Sequence, residues 1–378
     1  MDFDRTDDQK LLAKTVAEFA KKDSTVERFR RLRNAEGEGF DRSVWARMGE
    51  LGWLAVPFAE ELGGFGGSMV DVGLVLEELG KSLVPEPYLP CVVLAGSALR
   101  LAGSAAQQER WLEALLAGER VLAFAHAERT ARYAPEPRET WARADGEGYV
   151  LSGTKVFVLA GHAAEAFVVS ARLGDAPALF VVEAGAEGLT RELVRFIDGH
   201  RGATETFESV RVPANARLPA APASEVLVHV QALGAAAAVA EGVGVCQAML
   251  AMTLEYLKTR EQFGAKIGSF QALQHRAVDM FVEMELLRSI ALEAVGRADA
   301  PASDAAAARA RQEAISAAKI QLATGGAFIA RQAIQLHGGI GVTDEHDVGL
   351  YFKRVHALMS LFGDEAFHAR RFAALQRT

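Results

Sequence analysis

Apolar residues recur along the chain with two different periods, and the changes between them mark three sections. Over residues 1–120 the spacing is that of amphipathic helices, clearest at 9–20, 44–54, 70–79 and 107–117. From 121 to 221 the runs shorten and alternate. Stretches 121–125, 149–152, 156–159, 166–170 and 179–182 are separated by turns containing Gly, Pro or Asp, as strands are. Residues 208–213 add an edge segment that Pro213 closes. From 222 to 378 the helical period returns. Residues 234–258 are rich in Ala, Leu and Met and free of proline. In the next helix Leu273, Ala277, Met280, Met284, Leu287 and Ile290 share one face. A third long helix is predicted at 305–336, with Ser303 or Asp304 as N-cap. A last helical stretch covers 348–371, broken near Gly363. The pattern predicts a mostly α fold with a central β domain: N-terminal helical domain 1–120, β-barrel or sandwich 121–221, C-terminal helical bundle 222–378.

Composition narrows the function classes. With 378 residues, half of them hydrophobic, the chain can bury a large core. A net charge of −8 with no basic run argues against a nucleic-acid partner. Cys91 and Cys246 lie far apart without metal-like spacing, which predicts reduced, buried thiols. The opening Met-Asp-Phe-Asp-Arg-Thr-Asp-Asp lacks the basic and apolar regions of a signal peptide. Residues 232–245 are apolar but interrupted by Glu241 and too short for a membrane span. A soluble cytoplasmic protein is expected. The glycine-rich run 62–68 breaks the G-x-G-x-x-G spacing and predicts a turn between helices.

Candidate chemistry centres on Arg260-Glu-Gln-Phe-Gly-Ala-Lys-Ile-Gly-Ser-Phe-Gln271, between two long helices. One reading is structural: a helix C-terminus with a basic residue against its dipole, and Gly264 and Gly268 making a turn. The other is functional: Arg260 offers a planar, permanently charged fork suited to phosphate oxygens.

Arg260-Glu-Gln-Phe-Gly264, followed by Ile267 and Gln271, resembles the flavin-binding signature of the acyl-CoA dehydrogenase family. Gln335-Leu-His-Gly-Gly-Ile-Gly341 resembles its Gln-x-x-Gly-Gly-x-Gly segment. Val56-Pro-Phe-Ala-Glu-Glu-Leu-Gly-Gly-Phe-Gly66 and Leu76-Glu-Glu-Leu-Gly80 resemble a third, and the similarity runs over nearly the whole chain. The resemblance implies FAD as cofactor, an acyl-CoA substrate and an electron-transfer flavoprotein as acceptor. It assigns Arg260 to the pyrophosphate, with Gln262, Phe263, Phe270 and Gln271 in the same site and Gln335, Gly338, Gly339 and Gly341 in its second segment. In the family these segments reach the flavin of a neighbouring subunit, so oligomerisation is implied.

Two departures follow. The family's Thr-Glu-Pro-x-x-Gly-Ser-Asp segment reads Ala127-Glu128-Arg129-Thr130-Ala131-Arg132, without the glycine and serine. Its Lys-x-Trp-Ile-Thr segment reads Lys155-Val156-Phe157-Val158-Leu159, where Phe157 keeps an aromatic wall and Leu159 offers no side-chain donor. The catalytic base is also displaced. The family's Tyr-Glu-Gly-Thr region reads Leu361-Phe362-Gly363-Asp364-Glu365-Ala366, with Gly363 taken in the glutamate's place. The other base position the family uses, early in the helix before Arg260, falls on Gly234. Asp364, Glu365 and Glu241 stand as candidate bases in this chain.

Alternatively the base belongs to a partner. The stretch from Tyr256 through Met280 resembles the base-less small subunits of heteromeric α2β2 pimeloyl-CoA and steroid side-chain dehydrogenases. A paralogous catalytic subunit or a homo-oligomer, and a non-catalytic homologue that stabilises a catalytic paralogue, are the remaining alternatives. His275 and His337 predict structural duty. His346 and His356, with Asp344, Glu345 and Asp347, match no metal-ligand spacing and predict a solvated polar loop.

Overall fold

The computed structural model describes residues 4–301 and 304–377. The helices of the first part are α1 (Asp7–Asp23), α2 (Val26–Asn34), α3 (Arg42–Glu50), α4 (Met69–Lys81), α5 (Ser97–Ala102) and α6 (Ala105–Leu116). Strands follow: β1 (Leu122–Ala125), β2 (Trp141–Asp145), β3 (Gly148–Leu159), β4 (Ala166–Leu173), β5 (Ala176–Glu183), β6 (Leu189–Arg195) and β7 (Arg201–Pro213). The chain then returns to helix in α7 (Ala223–Thr259), and a hairpin of β8 (Glu261–Gln262) and β9 (Ala265–Lys266) leads to α8 (Gln271–Ala298). The last helices are α9 (Ala305–Gln321), α10 (Ala327–His337), α11 (Val348–Ser360) and α12 (Glu365–Leu375).

Local chemistry sets several of these limits. Thr6 with Gln9 starts α1, and Ser104 with Gln107 starts α6, each pair exchanging side-chain and backbone hydrogen bonds in a capping box. Asp304 caps α9 by accepting from the Ala307 N–H; Ser303, the other candidate, lies outside the described residues. The long helix expected at 305–336 is interrupted by a π-helical turn, Leu322–Gly326. A side chain on Gly325 would sit 2.4 Å from Gln321 Nε2 and from Glu283 Oε2, so the wide turn and the bare glycine go together.

The chain forms two compact units, each from separated stretches. A helical unit takes the N-terminus to Arg31, Met69–Val84 and Ala235 onward; a mixed unit takes Leu32–Ser68 and Pro85–Gly234. In the helical unit α8 packs against α9 and α10, α9 against α12 and α10 against α11. Helix α7 meets α4 so closely that a Cβ on Gly244 would lie 1.9 Å from the Glu77 carbonyl oxygen. Gly244→Ala should therefore cost about 1–3 kcal/mol of stability, read as a lowered denaturant midpoint at unchanged slope. By length and composition α7 could cross a membrane, but its most apolar window is 89% buried inside the protein.

In the mixed unit the strands form one continuous sheet, ordered β1-β4-β2-β3-β7-β6 with β5 on β4. Pairing is antiparallel except where β4 meets β1 and β2. The runs read separately as 149–152 and 156–159 are one strand, β3, with register shifts between Leu151 and Gly153 and between Lys155 and Val158. Such bulges curl a sheet. Residues 210–213 pair with β3 alone, because the register with β6 ends at Phe207.

Beneath this sheet lies a buried ion pair. Lys155 Nζ donates to Glu128 Oε1 at 2.7 Å, both side chains being 0% exposed. It also donates to the His126 carbonyl and Ser170 Oγ, each at 3.1 Å. Glu128 in turn accepts the N–H groups of Arg138, Glu139 and Thr140 at 2.5, 2.8 and 2.9 Å. Every polar atom of this carboxylate is thus answered, which is the condition for burying it.

Candidate functional site

The signature at 260–271 folds as a minimal hairpin at the end of α7. Glu261 pairs with Lys266 and Gln262 with Ala265, leaving Phe263 and Gly264 as the turn, both at positive φ (55° and 77°). Two left-handed residues make the turn type that matches strand twist. Glycine takes that conformation freely, whereas a phenylalanine rarely does. The strained ring is also 93% exposed. Arg260, Gln262, Phe270 and Gln271 are exposed as well, and among the described residues the Arg260 guanidinium has no carboxylate partner.

The second signature is brought beside the first by stacked rings. Tyr256, one turn before Arg260, stacks on His337 at 4.6 Å, and His346 lies 4.5 Å from His337 on centroids. His337 is buried, and its Nδ1–H donates to the Ala333 carbonyl at 2.8 Å. Burial, opposed by that bond and reinforced by His346, lowers its pKa and keeps the ring neutral. His346, expected in a solvated loop, is half-buried in this stack; His356 lies on α11 and bonds the Phe352 carbonyl. His275 is exposed on α8. Tyr256 was not singled out from sequence, although its place four residues before Arg260 puts both on one helix face.

Gln335, Gly338 and Gly339 are all exposed. A Cβ built on Gly338 or Gly339 would meet nothing within 4 Å, so nothing within the chain requires Gly339 to lack a side chain. Bare backbone, an unpaired guanidinium and an outward aromatic ring fit a nucleotide diphosphate approaching from outside the unit. Gly341 differs, being buried with the Ile334 carbonyl 2.8 Å from its would-be Cβ. In the mixed unit Phe157 sits on the β3 bulge at φ 51°, 63% exposed, with Phe196 stacked at 6.2 Å. That surface offers a flavin an aromatic wall, and neither Ala127 nor Leu159 adds a side-chain donor.

The three candidate bases sit in different settings. Asp364 caps α12, accepting from the Phe367 N–H at 2.8 Å. Glu241 is held by Arg354 Nε at 2.6 Å, with both side chains nearly buried. Glu365 is exposed at the rim of an open cleft of about 410 Å³, shared with Glu283, Leu286, Phe328 and Arg331. Gly363 lies at φ 123°, and a Cβ there would be 2.5 Å from both His368 Nε2 and Phe367 Cδ1. This position requires glycine; a register that set it on the glycine of Tyr-Glu-Gly-Thr would put Phe362 in the glutamate's place, and neither residue carries a carboxylate.

Two buried groups that sequence did not flag hold this turn. Lys319 Nζ donates to the carbonyls of Leu358, Met359 and Leu361 at 2.7, 3.1 and 2.6 Å, closing the C-terminus of α11. His368 Nε2–H donates to the Phe362 carbonyl at 3.2 Å, and Nδ1 faces Ser316 Oγ at 3.3 Å. Burial first, then the positive Lys319, holds His368 down to about 3, so it stays neutral. Lys319→Met should cost about 1–3 kcal/mol by orphaning these carbonyls. Hydrogen exchange at residues 361–363 should accelerate more than elsewhere.

Comparison with known proteins agrees with this geometry. Residues 6–119 match the acyl-CoA dehydrogenase N-terminal domain, and residues 228–375 match the acyl-CoA dehydrogenase C-terminal domain. The chain is 33% identical over 360 residues to acyl-CoA dehydrogenase FadE27 of Mycobacterium tuberculosis, covering 93% of this chain and 92% of that one. Among solved structures it is similar to the ChsE4-ChsE5 complex from Mycobacterium tuberculosis, with TM-score 0.89 and 30% identity over 100% of this chain and 99% of that chain. It is also similar to the Tcur3481-Tcur3483 steroid ACAD, with TM-score 0.86 and 30% identity over 98% of each chain. The chain therefore belongs to the acyl-CoA dehydrogenase family, whose cofactor is FAD.

Proposed function

We propose that this chain is the base-less subunit of a heteromeric, cytoplasmic acyl-CoA dehydrogenase that forms a trans-2-enoyl-CoA. The observation that carries the reading is the state of its carboxylates. Phe362 or Gly363 stands at one base position and Gly234 at the other, while Asp364 caps a helix and Glu241 is bound to Arg354. A partner chain then supplies the base. This chain contributes Arg260 to the cofactor's diphosphate, with Phe263 and Gln262 toward its adenine and the Gln335 segment beside them. When bound, the flavin accepts hydride from the substrate's β-carbon. The likeness to a two-protein complex and to a steroid ACAD supports a paired assembly and a bulky, steroid-derived acyl group. So does the outward face of α8, where Val278, Phe281, Val282 and Leu286 are each roughly half exposed. Electrons would leave to an electron-transfer flavoprotein.

The test is the flavin-to-chain ratio and visible spectrum of the protein purified alone and after co-expression with a paralogue carrying the C-terminal glutamate. Flavin and acyl-CoA bleaching gained only with the partner are expected. A chain that is fully flavinylated alone and bleached by an acyl-CoA would be self-sufficient and would sink the proposal. A pair that binds flavin but never bleaches would instead mark a non-catalytic homologue.

A further inference from the structure

One buried acid of the mixed unit takes no part in the site described above. Glu205 on β7 is 0% exposed, and neither of its carboxyl oxygens has a hydrogen-bond partner among the described residues. Its counter-charge is Arg191 on β6, directly across the ladder, with Nε 3.4 Å from Oε1. That guanidinium is committed elsewhere. Its two outer nitrogens donate to the carbonyls of His162 and Ala164, each at 3.0 Å, across the short helical turn Gly161–Ala163 that follows β3. The turn lies over the acid: a Cβ on Gly161 would be 3.0 Å from Glu205 Oε1. The chain enters it through Ala160 at φ 57°, a conformation that a residue with a Cβ holds only under constraint.

The other charges around Glu205 are answered or lie in solvent. Lys155, opposite it on β3, donates to Glu128, the His126 carbonyl and Ser170. The His162 Nε2–H donates to the Glu38 carbonyl at 2.7 Å, and Arg42 binds Glu38, Glu165 and the Ala163 carbonyl. Arg201, at the start of β7, donates to the carbonyls of Leu32, Arg33, Ala35 and Gly37. Glu192 and Arg195 on β6 are exposed. A buried carboxylate needs donors, and this one is given none. Burial pushes its carboxyl up to about 8, and the Arg191 charge offsets that only in part.

We propose that Glu205 and Arg191 form a proton-operated latch on the turn Gly161–Ala163. With the carboxyl neutral, Arg191 stays on the two carbonyls and the turn is closed. When the proton leaves for solvent, the carboxylate draws the guanidinium into a forked pair, and the carbonyls of His162 and Ala164 lose their donors. One fork cannot serve both acceptors, so the arrangement has two states that a single proton selects. An acid held at about 8 in the closed turn, and lower in the open one, favours closure at low pH; that closure is lost as pH rises through about 8.

Hydrogen exchange on the full chain reads the latch through the N–H groups of Ala163 and Ala164, which bond the Ala160 and Gly161 carbonyls. Corrected for the intrinsic rate, their protection should fall by up to about tenfold per pH unit from about pH 5 to about pH 8, then level off. Glu205→Gln cannot ionise and should hold one level of protection throughout, at unchanged circular dichroism. The native protein should also show the infrared carbonyl band of a protonated carboxyl at neutral pH, absent from the variant. Native protection that does not change with pH would overturn the latch, whether or not the variant folds. So would a Glu205→Gln profile that follows the native one, or a neutral-pH spectrum without the carbonyl band.

Discussion

Lys155→Met should destabilise the protein by about 3–5 kcal/mol, because it strands the Glu128 carboxylate at zero exposure. A loss of that size is a large part of a typical folding free energy. The double variant Lys155→Met with Glu128→Gln should recover most of it, since the unpaired charge is then gone. The pH dependence gives a second readout. Burial pushes the Glu128 carboxyl up, but the Lys155 charge and hydrogen bond and the Arg138 and Glu139 N–H groups outweigh it, leaving it at about 2. A carboxyl lowered on folding from 4.5 adds stability that is present above 4.5 and is lost as pH falls through about 2. Without Lys155 that carboxyl rises, so the gap between the native and variant proteins should narrow as pH falls through this window. Denaturant melts at a series of pH values would test both points; a gap that stays constant would mean the charge pairing is not what stabilises the site.

Arg260→Ala should weaken flavin retention in the assembled enzyme about 10- to 100-fold, the range for losing a forked, charge-assisted contact to phosphate. The same change should alter the stability of the flavin-free chain by no more than about 0.5 kcal/mol, because the side chain is exposed. Only its backbone is engaged: its N–H bonds Tyr256 and its carbonyl accepts from Ile267. Arg260→Lys, with the charge but without the fork, should fall between. The readout is flavin absorbance per chain after dialysis, and unchanged occupancy in the alanine variant would remove Arg260 from the site.

Much of this was legible in the sequence where periodicity reports burial. Helices α1, α4, α6 and α8 carry apolar faces that recur at helical spacing, and their positions follow from it. Strands β2 and β6 were missed because they are largely exposed: only Ala142 is buried in β2 and no residue is buried in β6. Alternation cannot signal a strand that buries neither face. Strand β3 was read as two because Gly153 imitates a turn, whereas its bare Cα lets β3 pass the Thr140 backbone, which a Cβ there would meet at 2.6 Å. The two cofactor signatures were legible as contiguous motifs. The fate of Glu241 was not, since its Arg354 partner lies 113 residues away and only the packed helices bring them together.

The π-helical turn at Leu322–Gly326 bears on how relatives of this chain should be aligned. A π turn holds one residue more than an ordinary helix, so it acts as a phase shifter between α9 and α10. The wide turn absorbs that extra residue, so a homologue one residue shorter here, running straight through as α-helix, would keep Gln335 on the surface it shares with Gly338 and Gly339. Closing the turn to the 3.6-residue repeat with every residue kept would instead rotate everything downstream by about 100°. A homologue of equal length that lacks the wide turn, with no gap to betray it, would be one whose second signature is intact in letters and lost in space.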